Sequence, residues 1–251
     1  MSFQESISII IPLFNEEEII EHSVELVMQD LNRLFDDYEL ILIDDGSTDG
    51  TKDILNSYSK QYPGKIVVFS HETNMGVGVG ILTGIEVAKK KYLMTNFADL
   101  PFETSDLEWI FKKILEEQAD GCVVVRKNRS ANSPFRKLTS YTNYCIIKTL
   151  FGTPFKDFQF VQLYRTDLVE ALKIESRDLF IPPEIMIKLN DYGYKLIQCV
   201  TTFHKRPGGD AKYGQLKYFI RTFLDHLIFF WRYRIHKQHM KDSIDLPSYS
   251  H

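Results

Sequence analysis

Ile41-Leu42-Ile43-Asp44-Asp45-Gly46-Ser47-Thr48-Asp49-Gly50-Thr51 is a short apolar run that delivers two adjacent carboxylates into a turn, with a helical pattern behind it. An apolar run bounded by turn residues and followed by a helix reads as a buried strand of an α/β sheet. In an open sheet of this kind, ligands bind just beyond the carboxyl ends of the strands. Asp44 and Asp45 stand at such an end. Carboxylates there accept hydrogen bonds from a base or ribose, or hold a divalent cation. Gly46 permits a tight turn, and Ser47 or Thr48 is placed to cap the next helix. A capped surface turn with no ligand is the alternative for this string taken alone.

Working outward, strands are expected at 7–12, 39–43, 65–70, 92–97 and 122–125, and helices at 16–34, 51–61, 80–90 and 104–117. Such alternation implies βαβ units and a mostly parallel, Rossmann-like sheet flanked by helices. The second half is less regular: a helix at 136–151, a strand at 158–164, a helix at 182–190 opening on proline, and a strand at 194–200. A last helix is expected at about 215–235, with a frayed tail beyond Lys237. No linker or internal repeat divides the chain. The expected plan is one α/β domain over 1–214 and an amphipathic basic helix and tail over 215–251.

The 251 residues are 44% hydrophobic and 25% charged, ordinary for a soluble globular protein. A net charge of −4 gives no global attraction to nucleic acid. Charge is unevenly placed, however: Lys212 to Lys241 holds seven Lys or Arg and one acidic residue, Asp225. Three scattered cysteines without metal spacing point to a reducing compartment and core positions. The first residues do not read as a signal peptide, and no run approaches the roughly 18 apolar residues of a membrane span.

Further groups stand at other strand ends. Pro12, Asn15 and Glu16 follow the first strand and face the same sheet edge as Asp44 and Asp45. Asn15 and Glu16 suit ribose hydroxyls, and Asn15 also suits a cap on the helix expected at Glu16. Asn74, Gly76, Gly78 and Gly80 open a helix and allow close backbone approach, a weak phosphate signal alone. Asn96-Phe97-Ala98-Asp99-Leu100 ends the fourth strand.

The order Pro-x-x-Asn-Glu, Asp-Asp-Gly-Ser-x-Asp-Gly-Thr, Asn-x-Gly-x-Gly and Ala-Asp-Leu resembles family 2 glycosyltransferases of the GT-A fold. Within them it is most similar to the polyprenyl-phosphate sugar transferases, the dolichol-phosphate mannose synthase group, over roughly residues 7–213. The resemblance implies an inverting hexosyltransferase that moves a sugar from a nucleotide-diphosphate sugar to a polyprenyl phosphate, dolichyl or undecaprenyl. It implies nucleotide-sugar contacts from Pro12, Asn15, Glu16, Asp44, Asp45, Asn74 and Gly78. The family's Asp-x-Asp holds Mg²⁺ or Mn²⁺ on the pyrophosphate. Phe97-Ala98-Asp99 replaces its first carboxylate with a ring, so Asp99 is the one metal ligand left. Three outcomes stay open: a metal held by Asp99 and substrate phosphates, basic side chains in its place, or a weakened chain acting as a binding subunit.

Arg126 resembles the arginine that ends a family strand, and Arg136, Ser140 and Asn143 a helix face receiving the acceptor phosphate. Asp157 is the carboxylate implied near the reacting centre, and Glu184 resembles a helix-start carboxylate lining the pocket. Arg206 and Lys212 lie in a loop resembling the one that contacts phosphate and closes over the site. Catalytic roles therefore fall to Asp99, Asp157, Arg126 and Arg136. An apolar stripe from Leu216 through Phe219, Ile220, Phe223, Leu224, Leu227 and Phe230 to Trp231 is flanked by Lys217, Arg221, Arg232 and Arg234. It suits packing on the sheet or a dimer partner, or an anionic membrane surface at 215–235. Peripheral attachment at the cytoplasmic face is the resulting expectation, with homo-oligomerisation left open. Transfer to a growing glycan is the nearest alternative activity. It would need a carboxylate base, Asp157 or Glu184.

Overall fold

The computed structural model describes residues 2–127, 134–158, 160–202 and 227–233, with the side chains of 134–140 and Asn143 outside the description. Seven strands form one sheet: β1 (Ile7–Leu13), β2 (Tyr38–Asp44), β3 (Ile66–Ser70), β4 (Tyr92–Thr95), β5 (Gly121–Arg126), β6 (Gln162–Arg165) and β7 (Leu196–Thr201). Their spatial order is β3-β2-β1-β4-β6-β5-β7. Every neighbouring pair is parallel except those of β6, which runs antiparallel to both β4 and β5. Among the described residues the sheet is flanked by α1 (Ile20–Leu34), α2 (Thr51–Gln61), α3 (Val77–Val87), α4 (Leu107–Glu116), α5 (Pro134–Phe151), α6 (Thr166–Glu170) and α7 (Ile181–Tyr192).

Every residue of β1 and β2 is buried, because helices cover both faces. Ile7, Ile9, Ile11 and Leu13 pack under α1 and α4, whereas Ile10, Ile41 and Ile43 meet α3 and, beyond it, the cluster of α5, α6 and α7. The chain adds β2 and β3 on one side of β1, then crosses back through α3 to place β4 on the other. That reversal opens a crevice at the carboxyl ends of β1 and β4. Two antiparallel steps through β6 leave β5 parallel to β4, so Arg126 ends on the same edge.

The strands and helices expected through residue 200 are present, most of them with shifted ends. The first helix starts at Ile20 instead of Glu16, because the intervening amides are drawn to the neighbouring loop. Glu16 N donates to Thr51 Oγ1 at 2.9 Å and Glu17 N to Asp49 Oδ2 at 3.3 Å. Asn15 is not its cap; φ is 53° there and α1 has no side-chain cap. Nor do Ser47 or Thr48 cap α2, whose cap position is Gly50. The fourth strand stops at Thr95, where Phe97 N turns onto the Asn96 side chain at 3.0 Å. Residues 227–233 are helical, but the face that packs is Phe229 and Tyr233. Trp231, on the stripe expected either to pack or to meet a membrane surface, is 66% exposed. The proposed boundary at 214, the rest of the stripe and the tail beyond Lys237 lie outside the described residues.

Candidate active site

The loops after β1 and β2 are laced together by side chains that a helix would otherwise use as caps. Asn15 N donates to Ser47 Oγ at 3.0 Å, and Asn15 Oδ1 accepts from Thr48 N at 2.8 Å. Glu17 Oε2 accepts from Gly50 N at 2.7 Å. Asp49 takes the Thr51 amide at 3.0 Å. Burial raises the Asp49 pKa, but the hydrogen bonds from Thr51 and nearby amides outweigh it and hold the carboxyl below its ordinary range. Gly46, at φ 71°, lies so close to Thr73 that a Cβ would stand 2.6 Å from its carbonyl carbon. Three successive strand-end loops are thus packed in a row. Pro12 closes the row from below, buried in β1 beyond the stretch paired with β4 and against Gly80.

The two adjacent carboxylates have different environments. Both are buried, at 1% and 2% exposure. Asp44 Oδ1 accepts from Ser47 N at 3.0 Å, and among the described residues its Oδ2 accepts nothing. Both oxygens of Asp45 are engaged: Oδ1 accepts from His71 Nδ1 at 2.7 Å and Met75 N at 2.9 Å, and Oδ2 from Gly76 N at 2.7 Å. His71 Nε2 lies 3.0 Å from Thr83 Oγ1 on α3. Reading the sequence missed His71 and Thr83, since one sits in an unremarkable loop and the other inside an apolar helix. Asn74 is exposed beside them. Gly78 does not face open space: a Cβ there would stand 2.1 Å from the Arg177 carbonyl oxygen. Its smallness is required by helix-to-loop packing.

At the end of β4, Ser23 Oγ donates to the Ala98 carbonyl at 2.5 Å and anchors the turn on α1. Leu100, at φ 41°, and a Leu100 N to Phe97 O bond of 3.0 Å complete that turn. Asp99 and Phe97 are both half-buried. Among the described residues no group of three or more His, Cys, Asp or Glu could hold a metal ion. One carboxylate fits a cation whose remaining ligands are water and a substrate pyrophosphate, not a resident metal cage.

Arg126 and Asp157 meet. Nε and Nη2 of Arg126 donate to Oδ2 and Oδ1 at 2.7 and 3.0 Å, a bidentate pair, and the guanidinium lies 5.2 Å from the Phe160 ring centroid. Asp157 is 2% exposed, and both of its oxygens are engaged by Arg126. Glu184 does not line a pocket as a reactive group either. It is fully buried, and its oxygens accept from Glu175 N, Ser176 N and Lys188 Nζ at 2.8, 2.8 and 2.6 Å. It fastens the 175–176 backbone to α7. Arg136 and Ser140 lie on α5, whose backbone alone is described there, and Arg206 and Lys212 lie outside the described residues.

A family model described as Glycosyl transferase family 2 matches residues 8–180. The undecaprenyl-phosphate 4-deoxy-4-formamido-L-arabinose transferase of Photorhabdus laumondii is 30% identical over 221 residues, covering 86% of this chain and 66% of the relative. The dodecaprenyl-phosphate galacturonate synthase of Rhizobium johnstonii is 28% identical over 250 residues, covering 96% and 71%. The chain spans about two thirds of the length of such relatives. Among solved structures, glucosyl-3-phosphoglycerate synthase of Mycobacterium tuberculosis with uridine diphosphate superposes with a TM-score of 0.64 at 17% identity, covering 88% of this chain and 80% of that one. The same enzyme with Mn²⁺, uridine diphosphate and phosphoglyceric acid gives 0.64 over 97% and 80%. At that identity the likeness establishes the fold.

Proposed function

The chain belongs to glycosyl transferase family 2 and has its α/β fold, and from that premise we propose that it transfers a sugar from a nucleotide-diphosphate sugar to a polyprenyl phosphate, with inversion. The observation that carries this is the single sheet edge that holds Asn15, Asp44, Asp99 and Arg126, at or just beyond the carboxyl ends of β1, β2, β4 and β5. The two prenyl-phosphate transferases above support the acceptor class.

Asp44, with one oxygen open, receives an N–H or hydroxyl of the nucleoside, and Asn15 and Glu16 border the ribose. Asp99 faces the pyrophosphate. A divalent cation bound there would neutralise charge on the leaving nucleotide. A phosphate acceptor is already anionic near neutral pH, so its oxygen attacks the anomeric carbon without a strong base. The sugar–pyrophosphate bond breaks and the nucleoside diphosphate leaves with the electron pair. Arg126, held in orientation by Asp157, meets the incoming phosphate together with Arg136 and Ser140, and Arg206 and Lys212 shield the developing charge. Catalysis then rests on positioning two anionic partners. The engagement of both Asp157 and Glu184 in ion pairs speaks against the glycan-transferring alternative, which needs one of them as a base.

No described helix is long and apolar enough to cross a membrane. The outward Ile228 and Trp231, 50% and 66% exposed, next to Arg232 support peripheral contact of 215–235 with an anionic lipid surface at the cytoplasmic face. A screen of nucleotide-sugars for thermal stabilisation, with and without Mn²⁺, identifies the donor. Transfer of labelled sugar from that donor into undecaprenyl phosphate in vesicles is then expected. Absence of stabilisation by every donor defeats the transferase reading, and transfer to soluble glycans alone defeats the lipid acceptor.

A further inference from the structure

A chain of three side chains, Asp45, His71 and Thr83, links the end of β2, the loop after β3 and α3. His71 and Asp45 are buried, with side chains 7% and 4% exposed. A carboxylate oxygen only accepts, so the 2.7 Å contact requires Nδ1 of His71 to carry the proton. In the neutral ring Nε2 then accepts from the Thr83 hydroxyl at 3.0 Å. Thr83 belongs to α3, His71 follows β3 and Asp45 follows β2. The relay therefore ties three elements together at the point where the 71–76 loop crosses over the Asp45–Gly46 turn. The same carboxylate fixes the Met75 and Gly76 amides, and Gly76 is the residue before α3, at φ 96°.

We propose that His71, backed by Thr83, is a positioning residue for donor binding: it holds Asp45 as the internal clamp of the 73–76 loop and leaves Asp44 as the carboxylate that meets the nucleoside. The inference rests on the nucleotide-sugar reading above. The physical reason is the count of acceptor sites. Asp45 has three of its about four acceptor sites filled from within the protein, so a ligand would have to share an oxygen that already holds a backbone amide. Asp44 spends one oxygen on Ser47 and keeps the other. If the His71 bond is lost, Asp45 is free to rotate, the Met75 and Gly76 amides lose their common acceptor, and the loop beside Asp44 is no longer held.

The test measures uridine diphosphate and guanosine diphosphate binding by calorimetry to the full chain and to His71→Leu, His71→Asn and Thr83→Val. His71→Leu removes the donor to Asp45 and should weaken binding by about tenfold or more, the loss of a hydrogen bond to a charged group. His71→Asn places an amide nitrogen where Nδ1 stood and should restore most of that loss. Thr83→Val keeps the Asp45 bond but frees the ring, with a smaller loss in the same direction. Rescue by asparagine separates positioning from mere packing, because Leu fills more of the ring's volume than Asn does. If His71→Leu fails to fold, the ordering of wild type, His71→Asn and Thr83→Val still decides. Wild-type binding with all variants unchanged, or Asn no better than Leu, overturns this inference alone. A wild-type chain that binds neither nucleotide overturns the donor reading and this inference with it.

Discussion

Glu184→Gln separates a carboxylate that holds the fold from one that performs chemistry. Glu184 is fully buried, and its oxygens take two backbone amides at 2.8 Å each and the Lys188 ammonium at 2.6 Å. Lys188 is 1% exposed, with the Lys173 carbonyl at 2.5 Å as its other partner. Glutamine keeps the shape but removes the charge that offsets the buried ammonium. It also turns one acceptor oxygen into an NH₂ that must face an N–H or an ammonium. Breaking a buried ion pair from one side costs about 3–5 kcal/mol. Against a total stability of about 5–15 kcal/mol, that lowers the thermal midpoint by on the order of 10 °C. Urea unfolding followed by circular dichroism measures the loss. Adding Lys188→Met removes both charges and should recover at least about 2 kcal/mol, the coupling of a contacting pair. Turnover per folded molecule, assayed well below both midpoints, should stay near the wild-type value. A Glu184→Gln chain with the wild-type midpoint but no turnover would refute this reasoning, since the charge would then serve the reaction and not the fold.

Gly78→Ala forces a methyl to within 2.1 Å of the Arg177 carbonyl oxygen, a backbone atom that cannot swing aside. It should cost about 1–3 kcal/mol in urea unfolding, and an unchanged midpoint would mean that the 175–178 loop moves freely. Phe97→Asp restores a second carboxylate two residues before Asp99. Mn²⁺ should then tighten uridine diphosphate binding more than in wild type, and Asp99→Asn should abolish the Mn²⁺ effect; calorimetry showing one equal Mn²⁺ effect in all three would remove Asp99 from the metal reading. Iodoacetamide at pH 8 should label the half-buried Cys145 well before the buried Cys122, whose thiol is pushed far up by its contact with Cys199 and by burial. Peptide mass mapping that finds Cys122 first would contradict the packing of β5 against β7.

The parallel front half was legible because its signals are local. The runs 7–13 and 38–44 are too apolar to face water on either side, and Thr51–Gln61 agrees with its expected bounds residue for residue. The helix starts were less legible. Asn15 and Ser47 have the chemistry of caps, yet they bond each other's loops across 32 residues, because two strand ends in register bring them together before either helix begins. On the last helix, whose apolar stripe was expected either to pack or to meet a membrane surface, Trp231 is 66% exposed while Phe229 is buried. Aromatic residues crowd both sides there, and the face that packs is chosen by Phe180 and Phe151, whose tilted rings lie 5.1 and 5.5 Å from that of Phe229.

By itself the sequence determined the family, the parallel sheet and the edge where the chemistry gathers. Those depend on apolar periodicity, on turn residues and on the order of motifs along the chain, all of which are properties of neighbours. Only the tertiary structure decided what each charged group is free to do. Asp44 and Asp45 are chemically identical neighbours, but His71 arrives from 26 residues away to occupy one of them. Asp157 reaches Arg126 across 31 residues, and Glu184 is taken by Lys188 and a turn of loop. A carboxylate's role is set by how many of its acceptor sites are already filled, and that count is made by side chains that meet only when the sheet has assembled.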